Sequence, residues 1–307
     1  MKRGIITTIT LKLESKFPNL TKNYLWRKTT GFHKKLLLYK RHIKFLKAEN
    51  PELRKQAKTF FSENQYRVEA IIKKLADDKS REVYLSSIKY IQTRKFTDIP
   101  EFLGDDEHYY LDKLIFSNDE VYIDCGLGNV NTRFDTLDRF ISHCPEYRLI
   151  IAFEPNITDF NIATVKYKNH PKIKIFNAGV FNYNGEIAFY EDEISTISST
   201  VLRSDEDIKV GNEKNKYTIN VMTIDSLDLE KVTFIKMDIE GSEYEALEGA
   251  KNTILRDKPK LAISIYHSNE DMIRIAEFIS ELLPEYKLFI RQYAFFNETV
   301  LYCVSEV

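Results

Sequence analysis

The chain has 307 residues, 43% of them apolar and 30% charged, which is enough to bury the core of one large domain or of a domain with a smaller cap. No apolar run reaches the roughly 18 residues of a membrane span, and the N-terminal MKRGIITTITLKLESK carries charge and threonine where a signal peptide needs an apolar stretch. Cys125, Cys144 and Cys303 lack CxxC or His-rich spacing, so a disulfide framework, structural zinc, membrane insertion and export are all unexpected and the expected compartment is the cytoplasm.

The net charge of −1 hides an asymmetry: the first 50 residues hold thirteen Lys or Arg and two acids, net +11, which leaves −12 on the remainder. Lys34, Lys35, Lys40, Arg41, Lys44 and Lys47 alternate with Leu36, Leu37, Leu38, Ile43, Phe45 and Leu46, the pattern of a basic amphipathic helix. Such a helix either packs on its own domain by the Leu/Ile face or makes peripheral contact with a membrane or a lipid-linked anionic acceptor; nucleic acid is the less expected partner.

Residues 32–95 read as helical, with a new helix beginning at Pro51 and a further break at Asp78 or Ser80. This defines an N-terminal helical region over 1–100, and TDIPEFLGDDEHYYLDKLIFSND connects it to a second region over 101–307. There, short β-rich runs alternate with helical stretches: Val121 to Cys125, Arg148 to Phe153, Lys172 to Asn177, Thr233 to Asp238 and Lys260 to Ile265. An α/β fold with a mostly parallel sheet follows. Between Val180 and Leu229, NYNGEIAFYED reads as a hairpin and ISTISSTVLRSDEDIKVGNEKN as a polar loop, while the closing YKLFIRQYAFFNETVLYCV reads as an antiparallel pair.

The most informative stretch is FIKMDIEGSEYEALEGA, residues 234–250. In a strand, Lys236, Asp238 and Glu240 would share one face, where buried charge must be paired or bind a ligand. An internal Lys236 salt bridge to Asp238 or Glu240 is the structural alternative. Ser242 and Glu245 have capping-box spacing, and Tyr244, Leu247, Ala250 and Ile254 form the apolar stripe of one helix. In VYIDCGLGNVN, Asp124 ends a strand and Gly126 and Gly128 form a tight turn before a helix starting near Thr132. The sixth position of a dinucleotide-type G-x-G-x-x-G is Asn131, and Asp124 would repel phosphate. Glu154 ends the next strand, where a carboxylate accepts hydrogen bonds from ribose hydroxyls. Two acids without a phosphate cradle suit a nucleoside lacking phosphates, such as S-adenosylmethionine.

The order IDCG, AFEPN, NAGVFNYNG, TIDSL, KMDIEGSEYEALEGA and a late YH resembles the FkbM-type S-adenosylmethionine-dependent methyltransferases over roughly residues 119 to 305. The resemblance implies a class I methyltransferase (Rossmann-like) mixed seven-stranded sheet with an antiparallel last strand. It implies cofactor contacts from Asp124, Gly126, Gly128, Glu154, Pro155, Asn177, Ala178 and Asp238. The family usually has a further glycine in the first loop, where this chain has Val130 and Asn131.

Methyl transfer to a hydroxyl needs in-line alignment and removal of one proton. His267 is the first candidate base and Asp238 the second; a divalent metal on Asp238, Glu240 and His267 is a less favoured alternative. Lys236, Glu240, Ser199, Tyr266 and Arg291, together with Tyr109, Tyr110, Ser198 and Tyr293, are candidates to line the acceptor site. The function that the resemblance implies is O-methylation of a sugar or sugar-containing intermediate, a small-molecule or glycan acceptor, in bacterial surface polysaccharide synthesis. The rivals are a nicotinamide-dependent oxidoreductase and a non-catalytic RNA- or membrane-docking module.

Overall fold

The computed structural model describes residues 39, 42–43, 45–47, 51–103, 108–128, 130–132, 134–191, 199–201, 216–294 and 298–305. Most of the basic stretch between Lys34 and Lys47, and Ser198, lie outside these residues. No helix among the described residues is long and apolar enough to cross a membrane.

The chain divides into two compact units, Met1–His108 with Leu288–Val300, and Tyr109–Lys287 with Leu301–Val307. In the first unit, α1 (Pro51–Glu63) opens on proline, whose fixed φ suits a first helical turn. Helix α2 (Gln65–Lys74) follows, and α3 (Asp78–Thr93) starts after Asp77, whose carboxylate caps the Ser80 amide at 2.7 Å. Arg291 from the late segment forks onto the same Asp77, with Nη2 at 2.7 Å and Nη1 at 3.2 Å. Partial burial works against that carboxylate, yet the Arg291 and Ser80 donors hold it down at about 2. Arg291 is therefore a buried tie within this unit, which corrects the expectation that it lines the acceptor site. Tyr293 is likewise buried, stacked on His108 at 4.7 Å.

The second unit follows the βα pattern expected from sequence. β1 (Val121–Cys125), α4 (Thr136–His143), β2 (Leu149–Phe153), α5 (Ile157–Tyr167) and β3 (Ile173–Phe176) are followed by β4 (Gly179–Val180), β5 (Gly185–Glu191), β6 (Ser199–Val201) and β7 (Lys216–Met222). The unit continues through β8 (Phe234–Met237), α6 (Glu243–Glu248), α7 (Lys251–Asp257), β9 (Lys260–Ser264) and α8 (Asp271–Leu282); of the two closing strands, β10 (Lys287–Gln292) belongs to the first unit from Leu288 on, and β11 (Thr299–Val304) to the second from Leu301 on.

Seven strands form one mixed sheet in the order β10-β11-β9-β8-β1-β2-β3, parallel through β9, β8, β1, β2 and β3, with antiparallel final strands. This is the class I architecture that the resemblance implied. Central strands β1 and β8 are buried at every residue, which is why they read as near-continuous apolar runs. Beneath them Tyr122, Phe140 and Phe234 pack as an aromatic cluster, with Tyr122 4.3 Å from Phe140 and 4.8 Å from Phe234 between ring centroids. Strand β1 has β2 on one side and β8 on the other, so the strand order reverses there. In an open α/β sheet that reversal leaves a ligand crevice at the strands' C-terminal ends.

The segment from 180 to 229 differs from expectation. NYNGEIAFYED is not a hairpin: its β5 pairs antiparallel with β7 and with β6, in a separate four-stranded sheet of order β4-β7-β5-β6. Its core is Ile219 and Val221 with Phe181 and Ile187. The signal for β7 was present in KYTINVM, where Tyr217, Ile219 and Val221 alternate with polar residues. Helix α4 begins at Thr136, four positions later than expected, because Asp135 caps the Leu137 and Asp138 amides, each at 3.1 Å.

Candidate active site

Every group considered below lies in the second unit. The ends of β1, β2, β3, β8 and β9 bring Gly126, Glu154, Asn177, Asp238 and His267 to the same edge of the sheet.

The register pairs Asp124 of β1 with Lys236 of β8, and the two side chains meet at 3.2 Å with essentially no exposure. Asp124 also accepts the Thr136 hydroxyl at 2.5 Å, and the Lys236 ammonium donates to the Gly126 carbonyl and sits 5.0 Å from the Tyr109 ring centroid. Burial opposes the charge on Lys236, but Asp124 and Asp238 outweigh it and raise its pKa. Two expectations are corrected here. Asp124 is sealed under the first loop rather than facing a cofactor, and Lys236 is its partner rather than an acceptor contact. The pairing expected with Asp238 or Glu240 goes to Asp124 because parallel register sets it directly across.

The loop after β1 turns on Gly126 and Gly128, at φ 93° and 64°. A Cβ at Gly126 would lie 2.2 Å from the Asp238 carbonyl oxygen, so only glycine lets the two loops approach. Asn131 takes φ 64°, the left-handed conformation, and its amide donates to Asp135 at 3.2 Å. Asparagine is among the few side chains that visit this region readily, so it can hold this turn without a glycine. Asn131→Gly is expected to be neutral within a few tenths of a kcal/mol, whereas Asn131→Val should cost about 1–2 kcal/mol in chemical denaturation. Equal stability of the two variants would remove the conformational argument.

Glu154 follows β2, and its carboxylate accepts the Asn156 amide at 2.8 Å. Burial pushes its carboxyl up to about 7, with Asp159 adding to the shift and the Asn156 amide opposing it. The Asn177 side-chain amide donates to the carbonyls of Glu154 and Pro155, at 2.9 and 3.0 Å, and so ties the β3 end to the β2 end; Ala178 is buried beside it. A carboxyl with this burial suits additional hydroxyl donors, the chemistry of a ribose diol.

Strand β8 stops at Met237, so Asp238 and Glu240 do not continue a strand face. They occupy a turn with Glu240 at φ 56° and Gly241 at φ 95°. Asp238 accepts the Tyr109 hydroxyl at 2.5 Å and the Tyr266 hydroxyl at 3.3 Å. The His267 ring puts Nε2 3.4 Å from Asp238 and 3.5 Å from Glu240, and Nδ1 3.1 Å from Glu243. Burial alone would lower the His267 pKa, but Glu243, then Asp238 and Glu240, lift it to about 10. With carboxylates facing both nitrogens the ring is held protonated, so Asp238 comes ahead of His267 as the candidate to receive the acceptor's proton unless that ring proton is displaced. Glu240 is pushed up to about 7, chiefly by burial.

Sequence reasoning missed Glu243. It is fully buried, and its carboxylate takes the Ile239 amide at 2.8 Å. The capping box is absent: Ser242 makes no side-chain cap, and the expected single helix breaks into α6 and α7 at Gly249 and Ala250. A Cβ at Gly249 would meet the Phe181 carbonyl oxygen at 2.1 Å. Nothing in G-S-E-Y-E distinguishes which acid turns inward. Of the acceptor-site candidates, Tyr109 and Tyr266 reach Asp238 and Glu240 stands beside His267, whereas the Tyr110 hydroxyl is used on the Thr136 carbonyl. Ser199 begins β6, and its side chain lies outside the described residues.

Comparison with known proteins agrees with this fold. The profile of the Methyltransferase FkbM domain matches residues 124–295. The fold is similar to the crystal structure of methyltransferase FkbM from Methylobacillus flagellatus, with a TM-score of 0.64 and 23% identity. That match covers 80% of this chain and 60% of the other, so the chain spans less than two thirds of that protein's length. More distant matches are an rRNA methylase from Streptococcus thermophilus and the fibrillarin of Aeropyrum pernix with natively bound S-adenosyl-L-methionine. Their TM-scores are 0.37 and 0.33 and their identities 13% and 11%; each covers 62% of this chain, and 89% and 70% of its own. No protein of curated function matches the sequence.

Proposed function

Because the chain belongs to the FkbM methyltransferase family, we propose that it transfers the methyl group of S-adenosylmethionine to a hydroxyl of a sugar or sugar-bearing intermediate. The observation that carries this reading is the strand reversal of the sheet, with a largely buried carboxyl suited to a diol, Glu154, at one strand end and the Tyr109-Asp238-Tyr266 group at another. Glu154 would hold the ribose hydroxyls, and the loop through Gly126, Gly128 and Asn131 would accommodate the rest of the cofactor. When bound, S-adenosylmethionine supplies an electrophilic methyl on a sulfonium. The acidic surroundings favour that cation.

Asp238 is the group we assign to receive or orient the acceptor's proton. Its two oxygens are aimed by Tyr109 and Tyr266, so its lone pairs have one preferred direction. Asp238 and Glu240 also offer carboxylate acceptors to a polyhydroxylated molecule, which favours a sugar over an apolar alcohol. The setting suggested by the family resemblance is surface polysaccharide synthesis. The basic N-terminal stretch suits an anionic, lipid-linked or nucleotide-linked acceptor.

The test is incubation with methyl-labelled S-adenosylmethionine and a panel of sugars, nucleotide sugars and lipid-linked glycans, with the product's methyl carbon identified by NMR. A methoxy signal supports the reading, and an N-methyl or C-methyl product overturns its oxygen specificity. Tyr109→Phe removes only the hydroxyl on Asp238 and should lower kcat about 10-fold or more while S-adenosylhomocysteine affinity stays within about threefold. An unchanged kcat would dissociate Tyr109 from the chemistry.

A further inference from the structure

We infer that Asp238, Glu243 and His267 form a binding site for one divalent transition-metal ion of the Mn2+ type. Each residue offers one ligand atom, and the three atoms lie within 4.8 Å of one another. Donors bonded at about 2.1 Å are roughly 3.0–3.4 Å apart at neighbouring positions and roughly 4.2 Å apart only across the ion, so the side chains must draw in by up to about 1–2 Å to hold it. The donors come from different places in the fold: the turn after β8, the first residue of α6 and the turn after β9.

A second observation points to a ligand independently of the acidic cluster. Glu243 is fully buried, yet its Oε2 has no hydrogen-bond partner among the described residues. Neither ring nitrogen of His267 makes a well-directed hydrogen bond, although carboxylate oxygens stand 3.1–3.5 Å away, on a side chain only 10% exposed. These are buried atoms of high bonding capacity left without directional partners, an expensive arrangement unless something occupies it. Charge adds to the argument. Three carboxylates, those of Asp238, Glu240 and Glu243, lie within 3.5 Å of one imidazole. The neighbouring Lys236 ammonium is already ion-paired with Asp124. A dication that displaces the ring proton would offset Asp238 and Glu243 and leave one carboxylate, that of Glu240, beside the site. Imidazole in the donor set favours a first-row transition ion over Mg2+ or Ca2+, and two carboxylates without thiolate favour the Mn2+ type over structural zinc.

The site's consequence rests on the methyl-transfer reading, while the site itself does not. An ion beside the acceptor would acidify its hydroxyl, so that loss of the proton needs no strong base. That answers a difficulty of the crevice, in which a carboxylate is the available acceptor for the proton of an alcohol.

The test uses the full chain, freed of metal by chelator dialysis and titrated with MnCl2, with free Mn2+ read by electron paramagnetic resonance. S-adenosylhomocysteine is titrated calorimetrically into the same preparation. One tightly held Mn2+ per chain is expected, with affinity reduced at least tenfold by Glu243→Gln and by His267→Gln, and unchanged by Asp225→Asn, a remote acid. Folding of each variant is checked by circular dichroism. A rise in the wild-type melting temperature with Mn2+, reversed by chelator, tests the site where a variant does not fold. No Mn2+ uptake by the folded wild type, or uptake indifferent to both substitutions, overturns the metal site. Mn2+ uptake without S-adenosylhomocysteine binding supports the site and counts against the methyl-transfer reading, whereas the reverse overturns the site alone.

Discussion

Replacing Lys236 with methionine should destabilise the protein by about 3–5 kcal/mol, because it leaves Asp124 buried without its counter-charge. Both side chains are essentially unexposed, so water cannot take over the lost interaction. The Gly126 carbonyl that the ammonium binds also loses its donor, which loosens the first loop. At roughly 2–4 °C per kcal/mol for a domain of this size, the melting temperature should fall by about 10 °C. Adding Asp124→Asn should recover much of the loss, since a neutral amide can still accept the Thr136 hydroxyl without an uncompensated charge. Urea denaturation of the two single variants and the double variant measures this. A Lys236→Met cost below about 1 kcal/mol would show that the pair contributes far less than its burial implies.

Glu154→Ala is expected to weaken S-adenosylhomocysteine binding by about 10- to 100-fold, the loss of one or two hydrogen bonds to a charged acceptor at about 1.5–3 kcal/mol in total. Glu154 lies just past the last residue of β2 and is only partly buried, so the fold should survive the change. The raised pKa adds a pH signature. Ribose hydroxyls donate to the carboxylate, so affinity should be level above about pH 7 and decline as pH falls through 7, by up to tenfold per unit. The sign for the ligand-free fold is opposite. A carboxyl whose folded pKa lies above its ordinary value favours the folded state at low pH, and that contribution is lost as pH rises through about 7. Calorimetry between pH 5.5 and 8.5 on wild type and Glu154→Gln separates the two effects. A decline in affinity that persists in Glu154→Gln would assign the titration to another group.

The sequence by itself determined which segments form the parallel strands of the main sheet and that its last pair is antiparallel. Buried parallel strands need unbroken apolar runs, and VYIDC, LIIAF, FIKM and KLAIS carry that requirement openly. The same runs show where the strands end, and hence that Glu154, Asp238 and His267 gather at one edge of the sheet. The two glycines of the first loop were legible because backbone conformation is a local property; Asn131 was legible only as an irregularity, and its φ explained it.

The tertiary structure alone decided which charges are spent on the fold and which remain for chemistry. Asp124 and Lys236 looked like site residues because they are charged and lie in apolar strands, but cross-strand register joins them under the loop. Arg291 is consumed in the same way by Asp77, more than two hundred residues away in sequence. Conversely, Glu243 carries no sequence signal, and becomes important only because the turn through Glu240 and Gly241 rolls it inward against His267. Secondary structure follows from local periodicity, whereas the partner of a buried charge depends on register and on contacts between residues far apart in the chain. The charge state of His267 follows from three carboxylates converging on one ring, and only the folded chain brings them there.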